Sequence, residues 1–380
     1  MPLNPAGAPA VSSDLAPVTR DLSAYIIAGA VSADPHKFQR ETEGRTPAQG
    51  IQDGVDAERL GFRRVFISER WDIKYADVIL AGTAARTSRL ELVTGVIVPT
   101  TRQPWAIAAL GATMHACFGP RFVLGLGRGD RVILDLMGLP ETSFSAMAEC
   151  ANITRRVWAG ESVAYDGQLG KFPALKSHET YPGPQPPIWL ASFGQSKSAD
   201  LAAQAFDGVI LPPMFTPEAT AAAVTRIRAA CERIDRDPQS VHIVQPVVTA
   251  PEMEDFEARS VTLGRLVTYL IYPGYGGATA IANGWDLDIV EKMRNHPVLT
   301  SAPRAADFEL HRHQMVDGPG SVLPWSWVAD SSAMGTVDEC VTSLQRFIDA
   351  GADEVTTYGS TPMQNAGLIE AWRKRPQAQT

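Results

Sequence analysis

The chain has 380 residues, with 34 Lys+Arg against 42 Asp+Glu and a formal charge of −8. That balance argues against a nucleic acid or an anionic membrane as the main partner, while leaving room for a local basic pocket. A 45% hydrophobic and 20% charged composition excludes an extended disordered chain, and no run approaches the ~18 apolar residues of a membrane span.

Residues 1–20 are rich in Pro, Ala and Ser and lack a basic segment followed by an apolar core. They are expected to form a loose tail and not a secretory leader. Short β-rich runs then alternate with helical patterns. Strands are expected at Ala24–Val31, Arg63–Ser68, Leu90–Val98, Phe122–Gly127, Pro187–Ser192, Gly208–Leu211, His242–Thr249 and Glu354–Tyr358. Most are continuous apolar runs, as strands covered on both faces should be. Between them, Thr46-Pro47-Ala48-Gln49 and Thr336-Val337-Asp338-Glu339 are capping boxes, and Gly61 and Gly351 stand where those helices should stop. Thr216-Pro217-Glu218 opens another helix, and Phe144, Met147, Ala148, Ala151 and Trp158 fit one helical face.

Eight strand–helix repeats predict an α/β fold, a (β/α)8 TIM barrel over residues 21–375 with a doubly wound sheet as the alternative. Two connections exceed what a bare barrel needs. One, after strand four, covers about 160–186. The other, after strand seven, covers about 250–333 and carries Tyr272, Tyr275, Trp285, Trp325 and Trp327. Loops after a strand's C-terminal end overlie the active face of a barrel, so the second insertion is expected to be a partial lid walling a substrate pocket. Its aromatic residues suit an apolar or ring-bearing substrate, or pack the lid onto the barrel.

Cys117, Cys150, Cys231 and Cys340 lie far apart with no CxxC, the pattern of buried free thiols in a reducing cytoplasm. His311 and His313 have no metal-ligand companions at suitable spacing, and there is no G-x-S-x-G elbow for Ser-based hydrolysis.

Four stretches at strand ends carry the chemistry. Phe122-Val123-Leu124-Gly125-Leu126-Gly127-Arg128-Gly129-Asp130 departs from the dinucleotide fingerprint, with Asp130 in its third glycine position and no immediate helix signal after it. Its glycines would let a flat ring or a phosphate chain approach the backbone, with Asp130 facing the site. Ser68-Glu69-Arg70-Trp71 ends strand two with a carboxylate, a guanidinium and an indole. Gly95, within Leu92–Pro99, marks a bulge or a close approach to a ligand. Ser192-Phe193-Gly194-Gln195-Ser196-Lys197 places small residues before a helix, where free N–H groups can meet an anion.

In this order the four stretches resemble the bacterial luciferase-like family of TIM barrels, and are most similar to the branch that uses the deazaflavin coenzyme F420 in place of FMN. Ala57–Phe62, Gly119–Phe122 and Ala350–Val355 share the resemblance, which spans Leu22 to about Glu370. It implies a cis peptide at Gly95–Val96 behind the central ring of the cofactor. It also implies cofactor contacts from Arg70, Trp71, Gly95, Val96, Gly127, Gly129, Ser192, Phe193, Gly194, Gln195 and Ser196. Glu69-Arg70 stands where the family commonly has Asp-His, so the usual proton carrier is missing; arginine stays charged. Val98 replaces a residue that is often polar, and Asp130 is one methylene shorter than the common Glu. Asp130 and Glu69 are therefore expected to divide the proton work, Asp130 as the proton carrier and Glu69, held charged by Arg70, as the structural or orienting partner.

The expected function is hydride transfer between F420 and a small organic substrate of alcohol/carbonyl or activated-alkene type. An FMN-dependent monooxygenase is the second reading, and a barrel that binds cofactor without turnover the third. A cytoplasmic homodimer acting on a small molecule is expected.

Overall fold

The computed structural model describes residues 15–27, 45–69, 74–301, 310 and 312–375. In chain order these form β1 (Leu22–Tyr25), α1 (Pro47–Leu60), β2 (Arg64–Ile67), α2 (Ala76–Ala84), β3 (Glu91–Thr94), α3 (Pro104–Phe118), β4 (Phe122–Leu126), α4 (Arg131–Leu136) and α5 (Phe144–Trp158). An antiparallel hairpin, β5 (Val163–Gly167) and β6 (Gly170–Leu175), precedes β7 (Ile188–Ala191), α6 (Ser196–Ala205), β8 (Gly208–Ile210), α7 (Pro217–Glu232) and β9 (His242–Pro251). Next come α8 (Asp255–Leu270), α9 (Pro273–Asn283), α10 (Leu287–Arg294), α11 (Pro297–Thr300), α12 (Arg312–Asp317) and α13 (Trp325–Ser331). The chain ends through β10 (Ser332–Gly335), α14 (Val337–Asp349), β11 (Glu354–Tyr358) and α15 (Ala366–Lys374).

Strands β1, β2, β3, β4, β7, β8, β9 and β11 pair in parallel in that order, and β11 returns to β1. The expected eight-stranded barrel is therefore closed. Both capping boxes form, at Thr46/Gln49 and Thr336/Glu339, and Gly61 ends α1 at φ 83°. Strand one starts earlier than expected, at Leu22, and residues 28–31 of the expected strand lie outside the described residues. Part of the expected tail is held in place: the Ala16 and Thr19 amides bond to the Arg59 and Gly61 carbonyls. Of the four thiols, Cys117 is exposed, against expectation, because it lies on the outward side at the end of α3.

Both long connections carry structure of their own. The hairpin doubles back along α5, so that Gln168 in its turn bonds to Glu141 and Ser143 ahead of that helix. The second insertion has a separate core, in which Leu266, Val267 and Leu270 of α8 pack with Val290, Met293, Trp327 and Val328. Val248 and Ala250 of β9 join that core to the barrel. Strand β10, which has no counterpart among the expected strands, extends this junction by pairing with Val248–Pro251. Among the described residues no helix is long and apolar enough to cross a membrane.

Along each strand, alternate residues point into the barrel. The upper interior is apolar, with Tyr25, Phe66, Val93, Val123, Trp189, Ile210 and Val244 in one cluster. The floor is ionic. The fully buried Glu354 accepts a bond from Ser23 and lies 3.4 Å from Arg64 Nη1 and 2.9 Å from His242 Nε2. Arg64 in turn meets Glu91 at 2.9 Å and lies over the Trp189 ring at 4.8 Å. Burial pushes the Glu354 carboxyl up, but the charge of Arg64, the His242 bond and Arg63 outweigh it and hold its pKa at about 2.

A carboxylate depressed in the folded state stabilises above its unfolded pKa, here 4.5, and loses that contribution as pH falls through the folded value. Glu354→Gln should cost about 3–5 kcal/mol in urea titration at pH 7, because it leaves Arg64 buried with one fewer partner. The gap to wild type should narrow as pH falls from 4.5 toward 2.

Candidate active site at the C-terminal mouth of the barrel

The mouth is shaped by the break in β3. Its ladder ends at Thr94, and the Gly95–Val96 peptide is cis, at the position the resemblance implies. Tyr25 Oη donates to the Gly95 carbonyl. Thr94 replaces the lost ladder bonds: its hydroxyl donates to the Gly125 carbonyl at 2.9 Å and accepts from the Gly125 amide at 2.7 Å. A Cβ on Gly125 would lie 1.9 Å from the Thr94 carbonyl oxygen. The room at Gly125 expected to serve a ligand is thus taken by the neighbouring strand. A Cβ on Gly127 would lie 2.4 Å from Val96 Cγ2, so that glycine accommodates the half-exposed Val96. Gly129 is exposed and takes φ 78°.

Contrary to expectation, a helix does follow at once. Asp130 caps α4, accepting from the Val132 amide at 2.9 Å. A six-residue helix is too short for periodicity to reveal it. Burial raises the Asp130 pKa, opposed by the Val132 and Ile133 amides.

Glu69 meets a partner different from the one expected. Arg102, in the loop just before α3, grips it with two bonds of 2.7 and 2.5 Å and also reaches Asp77 at 3.0 Å. Arg102 lies over the Tyr75 ring at 4.3 Å and bonds the Tyr75 hydroxyl at 2.8 Å. Glu69 is therefore an anchoring group. Arg70 and Trp71 lie outside the described residues, as do the side chains of His311 and His313.

After β7, Ser192 Oγ accepts from the Gly194 amide at 3.0 Å, and Gly194 turns the chain at φ 61°. Its carbonyl accepts from Arg226 Nε at 2.7 Å, and a Cβ there would strike Ala223 Cβ at 2.8 Å. The first turn of α6 has no side-chain cap, with Gln195, Ser196 and Lys197 exposed beside it. Its amides are left to meet an anion.

The insertion closes one side of the mouth, in part as expected. Tyr275 packs on Phe193 with centroids 5.0 Å apart, and Tyr269 packs on Tyr275 at 5.2 Å. Tyr269 and Tyr358 share a hydroxyl–hydroxyl bond of 2.7 Å, and Tyr358 meets the edge of Tyr25 at 5.0 Å. Trp285 and Trp327 stack on each other at 4.6 Å inside the insertion, and Trp325 is exposed, so these three are not pocket walls. Sequence reasoning missed Tyr25, Arg102, Tyr269 and Tyr358. The one available signal was alternation: Tyr25 and Tyr358 follow Ser23 and Thr356 at the two-residue spacing of an inward face.

A closed parallel barrel with an anion-ready turn and an aromatic-walled mouth defines a class of ligand-binding barrel whose site lies at the strands' C-terminal ends. Residues 29–354 match the family model of luciferase-like monooxygenase, and the chain belongs to that family. It is 25% identical over 300 residues to a 5,10-methylenetetrahydromethanopterin reductase of Methanolobus tindarius, covering 79% of this chain and 86% of the relative. It is 29% identical over 216 residues to an F420-dependent glucose-6-phosphate dehydrogenase of Nakamurella multipartita, covering 52% and 63%. The coenzyme F420-dependent tetrahydromethanopterin reductase of Methanopyrus kandleri superposes with a TM-score of 0.73 at 18% identity, over 93% of this chain and 97% of that one. Monooxygenases with TM-scores of 0.61 and 0.63 share the fold.

Arg102→Met would leave Glu69 and Asp77 facing each other without their common cation. Stability should fall by about 3 kcal/mol. Adding Glu69→Gln should restore part of the loss, a non-additivity that a double-mutant cycle in urea would measure.

Proposed function

We propose that this protein is an F420-dependent oxidoreductase that moves a hydride between the deazaflavin and a small organic substrate. The carrying observation is the turn at Ser192–Ser196, an uncapped helix start hinged on Gly194 at the mouth of a barrel whose curated relatives include F420-dependent enzymes. It suits a polyanionic cofactor tail because the first amides of the helix after it have no intrahelical acceptor and no side-chain cap, and Lys197 adds charge. Gly95, Val96, Gly127 and Gly129 would bound the ring, whose surroundings offer little bulk on the β3–β4 side. When bound, the deazaflavin supplies a carbon that gives or takes a hydride. The chain's own part is to hold the tail at α6, to keep water from the ring with Val96 and Val98, and to move a proton.

For the proton, Asp130 is the available carboxyl. Glu69 is committed to Arg102, whereas Asp130 spends one oxygen on capping α4, and burial favours its neutral form. The familiar histidine is absent from the strand-two end, so no imidazole there competes for the role.

Fluorescence titration with F420 and with FMN tests the cofactor. Tight binding of F420 alone is expected, and binding of FMN alone would favour the monooxygenase reading. Gly194→Asp should weaken F420 binding at least about tenfold through repulsion and its clash with Ala223. Asp130→Asn, which keeps a good helix cap, should leave F420 affinity within a few-fold and lower turnover by about 10²–10⁴. A near-wild-type rate in that variant would remove Asp130 from the proton step.

A further inference from the structure

The Tyr269–Tyr358 pair has no part in the fold that requires its hydroxyls. Both side chains are half-buried where the barrel interior meets the insertion core. Two phenols carry two protons. Their mutual 2.7 Å bond uses one as donor, so one O–H remains to donate elsewhere. Tyr358 also stands edge-on to Tyr25, whose own hydroxyl is occupied by the Gly95 carbonyl. The unused proton belongs to one or the other of these two hydroxyls, and the pair stands beside Tyr25 and the break in β3, where the cofactor ring would rest.

The surroundings narrow what that proton can meet. Tyr275 and Phe193 line the adjacent wall with aromatic surface. Arg265 lies over the face of Tyr358, 5.2 Å from the ring centroid. Burial, with the neighbouring Tyr358 and Tyr275, raises the pKa of Tyr269 well above its usual value, and burial does the same for Tyr275. Tyr269 and Tyr275 therefore keep their protons at pH 7. A neutral donor among aromatic rings suits an uncharged oxygen better than a carboxylate or phosphate.

We propose that the Tyr269–Tyr358 hydroxyl pair holds the reacting oxygen of an uncharged ketone or secondary alcohol, with Phe193 and Tyr275 contacting its apolar substituent. This rests on the oxidoreductase reading given above, and it adds the substrate class and the residues that set it. The pair is a binding and orienting device; the proton at Asp130 is a separate matter.

The test uses cyclohexanecarboxamide, a non-reacting carbonyl mimic, and cyclohexanecarboxylate, its charged counterpart. Binding of each to the full-length protein, with and without F420, is followed by saturation-transfer NMR and calorimetry. The carboxamide should bind and the carboxylate should bind at least several-fold more weakly. Tyr269→Phe/Tyr358→Phe should weaken carboxamide binding about tenfold, while F420 affinity and melting temperature stay close to wild type. Each single variant should fall between, because the remaining phenol can still donate. With cyclohexanone as substrate, the double variant should raise KM more than it lowers kcat. Unchanged carboxamide affinity in a folded double variant overturns the assignment, as does absence of carboxamide binding to the wild type or preference for the carboxylate. Failure of F420 to bind would defeat the cofactor reading alone, since the carboxamide arm is also run without it.

Discussion

The barrel closes around one buried carboxylate. Glu354 sits on the last strand, and its partners come from the first, the second and the seventh barrel strands: Ser23, Arg64 and His242. A buried ion of this kind is tolerable only when every neighbour is in place. That requirement ties the ends of the chain together, because the strand contributing Ser23 and the strand contributing Glu354 are 331 residues apart. The register of β11 against β1 and β9 is set in the same place, since a slip of one residue would turn Glu354 outward and bring an apolar neighbour onto the charged floor.

With the floor ionic and closed, the opposite end is free to be shaped for a ligand. The strands' inward positions change from charged at the bottom to aromatic in the middle and to glycine or small residues at the rim. The glycines of β4 serve the protein first. Gly125 admits the Thr94 carbonyl, and Gly127 admits Val96. Their usefulness to a ligand is indirect, because they let the broken end of β3 lean across the mouth and present its backbone there. Glu69, just after β2, is held against the same rim by Arg102, a cation from a different loop that binds two carboxylates and a tyrosine at once.

The insertion after strand seven is the other device. It carries a core of its own, so its aromatic residues divide between two duties. Those in the middle of that core, Trp285 and Trp327, pack on each other. Those at the edge nearest the barrel, Tyr269 and Tyr275, contact barrel residues and give the mouth its wall. Composition alone could not separate the two groups, because burial in a satellite core and exposure to a recess ask for the same residue types.

What the sequence determined by itself was local or periodic. Strand–helix alternation, two capping boxes and apolar runs bounded by turn residues were enough for the eight-stranded barrel and its two insertions, because each signal acts within a few residues of itself. Glycine between β-branched neighbours, together with the family resemblance, was enough to mark Gly95–Val96. The tertiary structure decided the pairings. Glu69 lies 33 residues from Arg102, and Tyr269 lies 89 from Tyr358; no spacing rule reaches that far. The six-residue helix that makes Asp130 a cap was also beyond reach, being shorter than two turns. Which charge meets which, and which phenols meet, depends on where barrel closure brings distant strand ends together, and that is settled by packing and register over the whole chain.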